Sequence, residues 1–172
     1  MIANGILLIT SLDHNIYALK EETGELIWKS KTGGAIAATP VVDNGTVFVG
    51  SFDSLFYAFD LSTGEEKWTF EKGSNWYWGT PVIDGKTIYV PSLDGKLYAL
   101  DVNSGKKEWE FETEGAIVGS PAIVADMIVI GSTDGEIRIV ETNSGELLGS
   151  CDVGEKIESS IASEGSDVYF SV

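Results

Sequence analysis

Short apolar runs alternate with turn signals along the whole chain. Runs such as Thr46–Gly50 and Leu55–Phe59 are bounded by Asn-Gly, Asp-Gly, Ser-Gly or Asp-Ser pairs. Pairs of this kind between apolar runs are typical of hairpins, because the two-residue turns that match strand twist need positive φ. No stretch keeps a helical period of apolar residues. The pattern therefore predicts an all-β protein made of short antiparallel strands.

One short segment recurs with a fixed period. It reads Ala58–Trp68 in its second copy, and the other copies are Ala18–Trp28, Ala99–Trp109 and a decayed Ile139–Gly149. The turn glycines of the four copies are separated by 40, 41 and 40 residues, and they are Gly24, Gly64, Gly105 and Gly145. A fixed period of this length indicates a repeat architecture.

Each repeat holds four short strands, which we label a to d in chain order. Complete repeats are predicted at about 33–72, 73–113 and 114–153, with partial repeats at 1–32 (strands b, c and d) and 154–172 (strands a and b), in a single domain over 1–172. Strand a is predicted over Ile36–Val42 and, in the tail, over Ile157–Ala162. The strands carry apolar residues on both faces, as small sheets covered on both sides require. Stacked four-stranded antiparallel sheets of this kind are propeller blades.

The repeat resembles a known family. The pattern Ala-x-Asp-x-x-Thr-Gly-x-x-x-Trp, together with the segment Val90–Asp101, is similar to the tryptophan-docking motif of quinoprotein-type (PQQ-like) β-propeller repeats. The Gly-His and Trp-Asp signature of WD40 propellers is absent. The resemblance implies that tryptophans dock beside the glycine turns of neighbouring blades. The residues concerned are Trp28, Trp68 and Trp109 with Gly24, Gly64, Gly105 and Gly145, while Gly149 departs from the tryptophan column.

The resemblance also raises the question of ring closure. Members of the family usually build rings of seven or eight blades, whereas this chain supplies about four PQQ-like repeats. An open arc leaves an apolar face at each end, which favours association. The main hypothesis is a two-fold homodimer that completes an eight-bladed ring with shared junction blades, although strand b would then occur twice. The alternatives are a four-bladed ring closed by its own termini and a fragment of a longer product.

The charge of the chain limits its partners. The net charge is −16, from 27 acidic and 11 basic residues, and Arg138 is the single arginine. Nucleic acid is not an expected partner, because binding it depends on a basic surface that releases counterions. The first residues lack a signal-peptide pattern, and no apolar run approaches the roughly 20 residues of a membrane span, so membrane insertion is not expected. The compartment stays open, and the resemblance implies an extracytoplasmic location if the chain is a fragment.

Catalytic chemistry finds little support in the sequence. The resemblance implies adjacent cysteines, calcium ligands and often a haem for quinone-dependent dehydrogenases, whereas this chain has one cysteine, Cys151, and no Cys-x-x-Cys-His. The only histidine, His14, is predicted to be a solvated turn residue. One aspartate recurs in each repeat and is predicted to form a turn rather than to bind calcium. These are Asp13, Asp53, Asp94 and Asp134. We therefore expect no enzyme activity, cofactor or metal.

One connection breaks the repeat. The steps from the strand-d tryptophan to the following proline are 12, 13 and 12 residues, and the extra residue falls just before Trp76-Tyr77-Trp78. Alignment on the prolines places Tyr77 in a column of isoleucines that should be buried, so Trp76 and Trp78 should point to the other side. Their columns also contain Lys156 and Glu158. These four residues are the candidate site for a sugar, peptide or planar ligand, and a channel plug or dimer contact is the alternative role of the tryptophans.

The expected function is non-catalytic. We expect a binding or assembly scaffold that presents a propeller face or central funnel to a protein or a small-molecule ligand. A fragment of a quinoprotein-like dehydrogenase and a carbohydrate-binding module are the two alternatives. The resemblance extends to scaffold proteins of bacterial outer-membrane assembly, but a fold alone does not fix a function.

Overall fold

The computed structural model describes residues 1–172, which form β-strands and no helix. Since the chain forms no helix, it contains no apolar helix that could cross a membrane. The strands are β1 (Ile2–Ala3), β2 (Ile6–Thr10), β3 (Asn15–Lys20), β4 (Leu26–Lys31), β5 (Val41–Asp43), β6 (Thr46–Gly50), β7 (Phe56–Asp60), β8 (Glu66–Phe70), β9 (Val82–Asp84), β10 (Thr87–Pro91), β11 (Lys96–Asp101), β12 (Lys107–Glu112), β13 (Ala122–Val124), β14 (Met127–Gly131), β15 (Glu136–Glu141), β16 (Leu147–Asp152), β17 (Ala162–Glu164) and β18 (Asp167–Tyr169).

The chain divides into two units, Met1–Trp78 and Gly79–Val172, and each is described by itself. The first unit holds two four-stranded antiparallel sheets, β1-β2-β3-β4 and β5-β6-β7-β8. The second holds two more, β9 to β12 and β13 to β16, and a two-stranded sheet, β17-β18. Within each sheet the strands follow chain order, so neighbouring strands are joined by short hairpin connections. The predicted all-β class with four-stranded antiparallel blades is confirmed.

The N-terminal sheet has one strand more than the three predicted for the first partial repeat. Ile2–Ala3 forms a short strand a, which pairs with Ile6 and Leu7 of β2. The intervening Asn4 and Gly5 have φ of 52° and 76°, a conformation that these two residue types tolerate well. A two-residue strand leaves no alternating pattern in a sequence, and the prediction missed it for that reason.

The strands predicted over Ile36–Val42 and Ile157–Ala162 are largely wrong. β5 and β17 begin only at the ends of these ranges, and the preceding residues form irregular connectors. In the first connector the amide of Ile36 donates to the carbonyl of Ser11 at 3.1 Å, so it takes no part in a strand ladder. Alternating burial persists in these segments without strand pairing, and the sequence pattern could not separate the two cases.

Trp28 joins the two sheets of the first unit. Its indole Nε1 donates to the carbonyl of Leu61 at 2.9 Å, and its ring lies against Gly64, where an added Cβ would come within 2.6 Å of it. The hydroxyl of Ser30 donates to the carbonyl of Gly64 at 2.6 Å. Gly64 also has φ of 72°, so the backbone and the indole both disfavour a side chain at this turn.

Trp109 makes the corresponding contact in the second unit. Its Nε1 donates to the carbonyl of Thr142 at 3.0 Å, and an added Cβ at Gly145 would lie 2.7 Å from its ring. Within the first unit, Trp68 lies beside Phe48, with ring centroids 5.7 Å apart. The two indole–glycine contacts show how one sheet is fixed to the next within each unit.

We predict that Gly64→Ala destabilises the protein more than Gly24→Ala. The two glycines have φ of 72° and 69°, so each alanine should cost about 1 kcal/mol of backbone strain. At Gly64 the methyl group must also displace the Trp28 ring, which should add about 1–3 kcal/mol, whereas at Gly24 it would meet nothing within 4 Å. Urea titrations measure both free energies of unfolding. In a Trp28→Ala background the difference between the two substitutions should shrink, and only the contact of the methyl group with the Ser30 hydroxyl at 2.8 Å should remain. Equal costs in the wild-type background would contradict the contact with Trp28.

Candidate functional site

The loop between strands b and c of each four-stranded sheet is built on one aspartate. Its Oδ1 accepts the backbone amide of the residue two positions later, at distances of 2.9–3.1 Å. This is the side-chain-to-backbone bond that stabilises an Asx turn. The predicted turn-forming role is confirmed for all four aspartates, which are Asp13, Asp53, Asp94 and Asp134.

The second carboxylate oxygen of each aspartate binds the side chain four residues later. The phenol of Tyr57 donates to Asp53 Oδ2 at 2.7 Å, and the amide of Gly33 in turn donates to the Tyr57 oxygen at 3.4 Å. Sequence reasoning missed these pairs, although a recurring Asp-x-x-x-Tyr spacing was the signal that could have found them. Equivalent pairs are Tyr17 with Asp13, Tyr98 with Asp94 and, with a guanidinium in place of the phenol, Arg138 with Asp134.

The environment of these pairs changes the ionisation of the tyrosines. Burial, and next the hydrogen bond to the aspartate, raise the pKa of Tyr57 and the pKa of Tyr98 above the ordinary value of 10.0. Burial opposes ionisation of Asp134, but the amide of Glu136 and the Arg138 guanidinium outweigh it and hold the pKa of that carboxyl below its ordinary value. The loops are therefore held by neutral phenols in two repeats and by an ion pair in another.

The irregular connectors run between consecutive loops. In the first unit the amide of Ile36 donates to Ser11 in one loop, while the carbonyl of Ala35 accepts the amide of Phe52 from the next loop at 2.9 Å. The same two bonds recur in the second unit at Ala116–Ile117. They fix which connector side chains point inward, and the predicted burial of the aligned apolar column is confirmed. Its members are Ile36, Tyr77, Ile117 and Ile157.

Trp76 and Trp78 form a stack with Phe52, which we call the aromatic stack. The Phe52 ring lies 4.5 Å from the Trp76 ring at an interplanar angle of 8°, and 5.3 Å from the Trp78 ring at 20°. The two indoles keep 44% and 47% of their surface exposed. Phe52 therefore separates the tryptophans, and a planar ligand cannot be sandwiched between them. The prediction missed Phe52, whose signal was an aromatic residue in a loop column that otherwise holds Leu12, Leu93 and Thr133.

The segment that carries the tryptophans is anchored by the residue between them. Tyr77 is fully buried, and its ring meets Phe56 edge-on with centroids 5.8 Å apart. Gly50 leaves room for it, since an added Cβ there would lie 2.2 Å from the Tyr77 Cβ. Asn75 Oδ1 accepts the amide of Trp76 at 2.8 Å. These contacts fix the backbone that carries the two tryptophans.

The other two predicted site residues belong to the second unit. Lys156 and Glu158 flank the buried Ile157 on the connector between β16 and β17, and both side chains are exposed. The aromatic stack consists of first-unit residues only, and the two charged side chains are not part of it. The candidate site is therefore described by Phe52, Trp76 and Trp78.

Residues for a metal or quinone site do not come together. No group of three His, Cys, Asp or Glu side chains is arranged to hold a metal ion. Cys151 is a free, exposed thiol, and His14 is an exposed turn residue with φ of 70°. The side chains present therefore do not fit the calcium and quinone site that dehydrogenases of this fold imply.

Comparison with known proteins fits the repeat pattern and the four-stranded sheets. A protein family described as outer membrane protein assembly factor BamB, of the PQQ-like repeat type, matches residues 1–76 and 72–169. The chain belongs to this family. The resemblance to PQQ-like propeller repeats is thereby confirmed. No curated protein sequence matches the chain significantly.

Three solved structures with the same fold are about two to three times longer than this chain. BamB from Moraxella catarrhalis is 21% identical, with a TM-score of 0.74 over 91% of this chain and 47% of that one. The computationally designed Ika8 protein is 17% identical, with a TM-score of 0.85 over 98% and 52%. The quinohemoprotein alcohol dehydrogenase ADHIIG from Pseudomonas putida HK5 is 18% identical, with a TM-score of 0.80 over 92% and 34%. At these identities the similarity shows the propeller-type fold alone.

We predict that Trp76→Ala and Trp78→Ala each lower the free energy of unfolding by about 1 kcal/mol, the value of one aromatic contact at a half-exposed ring. Trp28→Ala is the comparison, because its indole is buried, and it should cost about 3–5 kcal/mol. Urea titrations of the three variants measure the losses. If the two exposed tryptophans cost as much as Trp28, they are packing or plug residues rather than a binding surface.

We predict a loss of stability in alkali that depends on Tyr57 and Tyr98. The pKa of each is raised in the folded state, so their contribution is fully present below about pH 10 and is lost as the pH rises toward the folded value. The Tyr57→Phe/Tyr98→Phe variant should be less stable than wild type at neutral pH, yet lose less on going to alkaline pH. Urea titrations across this range measure both slopes, and equal alkaline slopes would show that the phenols are not responsible.

Proposed function

We propose that the chain is a non-catalytic scaffold that binds a protein partner through the aromatic stack. The observation that carries the proposal is the exposure of two tryptophans on a segment fixed by Tyr77, which is fully buried. Tryptophan is among the residues that contribute most to binding at protein interfaces. Because the stack is already ordered, a partner would bind without the entropic cost of fixing these side chains.

Apolar surface continues beside the stack. Leu12, in the loop of the first sheet, is 68% exposed. The connector bonds place Ala35 and Ala37 between the loops that carry Leu12 and Phe52. We propose that these side chains and the aromatic stack form one apolar strip at the loop end of the first unit, on which an extended segment of a partner binds.

The charge of the chain favours a basic partner segment. The net charge is −16, so a segment rich in lysine or arginine would be attracted over long distances and would associate faster at low salt. Arginine and lysine also bind to the faces of tryptophan rings. We therefore propose that the occupant of the strip is an extended, basic segment with one or more bulky apolar side chains.

The family description supports a protein-binding role, since it names an assembly factor. We propose a role of this kind for the present chain, as a module that holds another protein in place. The dehydrogenase alternative lacks a fitting set of residues in this chain, because no metal-binding group of side chains is present.

We also propose that two copies associate. Apolar side chains are exposed on the first and last sheets and beside them, among them Ile2, Leu26, Tyr169 and Val172, and exposed apolar surface favours association. Because the first sheet has its own strand a, an eight-bladed dimer would not need a shared junction blade. The molar mass by light scattering tests this association, since a single chain has a mass of 18.5 kDa. A dimer should have twice this mass, and a monomer at working concentration would contradict the proposal.

We predict that peptides selected from a random displayed library against this chain will be basic and will depend on the aromatic stack. The Trp76→Ala/Trp78→Ala variant should bind them at least about tenfold more weakly, because two anchor rings are lost. Leu148→Ala is the matched control, since Leu148 is an exposed apolar residue of the second unit, and it should leave affinity unchanged. Fluorescence titration at two salt concentrations measures affinity and its salt dependence. Selected peptides that bind the tryptophan variant as well as wild type would refute this site.

A further inference from the structure

A cavity lies at the opposite end of the first unit from the aromatic stack. It has a volume of about 300 Å³ and opens between the a–b turns of the two sheets and the c–d turn of the second. Antiparallel strands in chain order place the a–b and c–d turns at one end of a sheet and the b–c loop at the other. The main residues of this turn-end cavity are Asn4, Ile6, Asn44, Asp60, Leu61 and Lys67.

A fixed carboxylate and a fixed ammonium group lie side by side in the turn-end cavity. Lys67 Nζ donates to the hydroxyl of Thr46 at 2.8 Å and lies 3.5 Å from both the carbonyl oxygen of Gly45 and Asp60 Oδ2. Asp60 Oδ1 accepts the hydroxyl and amide of Ser62 at 2.6 and 2.9 Å. The two 3.5 Å contacts of the ammonium are longer than a direct charged hydrogen bond, so a ligand oxygen can replace them at lower cost than it could replace a short bond.

Amide groups and apolar side chains complete the lining. The Asn44 amide donates to Asp43 Oδ2 at 2.8 Å, which leaves its carbonyl oxygen as an acceptor. Asn4 occupies the equivalent turn of the first sheet, with φ of 52°, and its side chain makes no hydrogen bond within the protein. The apolar wall comes from Ile6 and Leu61. The cavity thus combines donors, acceptors and an apolar surface within one small space.

The charged pair is particular to this repeat. The residues aligned with Asp60 are Lys20, Asp101 and Glu141, and those aligned with Lys67 are Ile27, Glu108 and Leu148. No other repeat combines an acidic residue in the first position with a basic residue in the second. The repeated fold therefore does not require the pair of Asp60 and Lys67. A role in ligand binding would explain why this repeat has it.

We propose that the turn-end cavity binds one neutral sugar ring through two adjacent hydroxyls. The Lys67 ammonium donates to one hydroxyl, and the neighbouring hydroxyl donates to Asp60 Oδ2, so the diol bridges the pair. Ile6, which is only partly buried, packs against the C–H face of the ring, and the two asparagine amides bind the remaining hydroxyls. A volume of about 300 Å³ is at the lower limit of small-molecule sites, which fits a single ring rather than a chain. The paired charges and the net charge of −16 favour a neutral ligand over an anionic one.

Side-chain amide signals of isotope-labelled protein in NMR spectra test this proposal directly. Titration with methyl α-D-mannopyranoside, methyl α-D-glucopyranoside and methyl β-D-galactopyranoside should shift the NH₂ signals of Asn4 and Asn44 in a saturable manner for at least one sugar. Tetrahydropyran-2-methanol has the ring without adjacent hydroxyls and should shift neither signal. Absence of a saturable shift with all three sugars, or an equal response to the ring lacking the diol, would overturn the proposal.

Substitutions in the turn-end cavity test whether the sugar binds there. Lys67→Met keeps the aliphatic stem and should weaken the sugar about tenfold or more, because a hydrogen bond from a charged group is lost. Asn4→Gly preserves the positive-φ turn and should also weaken binding. Lys29→Met is the control, since the Lys29 ammonium lies over the Tyr17 ring, outside the cavity, and it should leave the affinity unchanged. Sugar affinity unaffected by Lys67→Met and Asn4→Gly would place the ligand elsewhere. The Trp76→Ala/Trp78→Ala variant should bind sugar normally, so this test is independent of the aromatic stack.

Discussion

The hydrogen bonds between the connectors and the b–c loops are the constraint on which the rest of the structure depends. At Ile36, Tyr77, Ile117 and Ile157 the connector amide donates to the loop that precedes it, and at Ala35 and Ala116 the connector carbonyl also accepts an amide from the loop that follows. The bonds satisfy backbone groups that would otherwise have no strand partner. They also set the rotation of the connector, so one side chain is buried and its two neighbours face outward. The buried column and the exposed tryptophans are consequences of the same bonds.

Because the backbone repeats, positions at which one repeat differs in sequence from the others indicate where function can lie. Three features recur in the repeats, because each blade has the same turns and packs in the same way. They are the turn aspartates, the buried connector column and the glycine turns, and these positions explain the fold. The aromatic stack occurs once, and so does the pairing of Asp60 with a lysine, because the residues aligned with Lys67 are Ile27, Glu108 and Leu148. Packing does not require these residues, so they are where a specific function can be added to a general scaffold.

Both candidate sites are formed by adjacent blades of one unit. The aromatic stack joins a loop of the second sheet to the connector that follows it, and the turn-end cavity lies between the turns of the first and second sheets. Neither depends on a closed ring or a central funnel. A chain that spans about half of its structural relatives, or less, can therefore carry such sites. The two sites also differ in character, since one presents exposed aromatic rings and the other a small polar cavity.

The sequence by itself determined what is local and periodic. Turn residues, strand alternation and the repeat spacing were enough for the fold class and for placing Trp76 and Trp78 on the side opposite the buried column, and the resemblance of the tryptophan motif pointed to the family. The tertiary structure decided which distant side chains meet: Phe52 is 24 residues from Trp76, and no local rule predicts that it lies between the two indoles. The irregular connectors could not be predicted either, because a buried column with period two looks the same in a strand and in a segment bound to loops. Local patterns predict the side of the chain on which a side chain lies, but contacts between distant residues depend on how the blades pack.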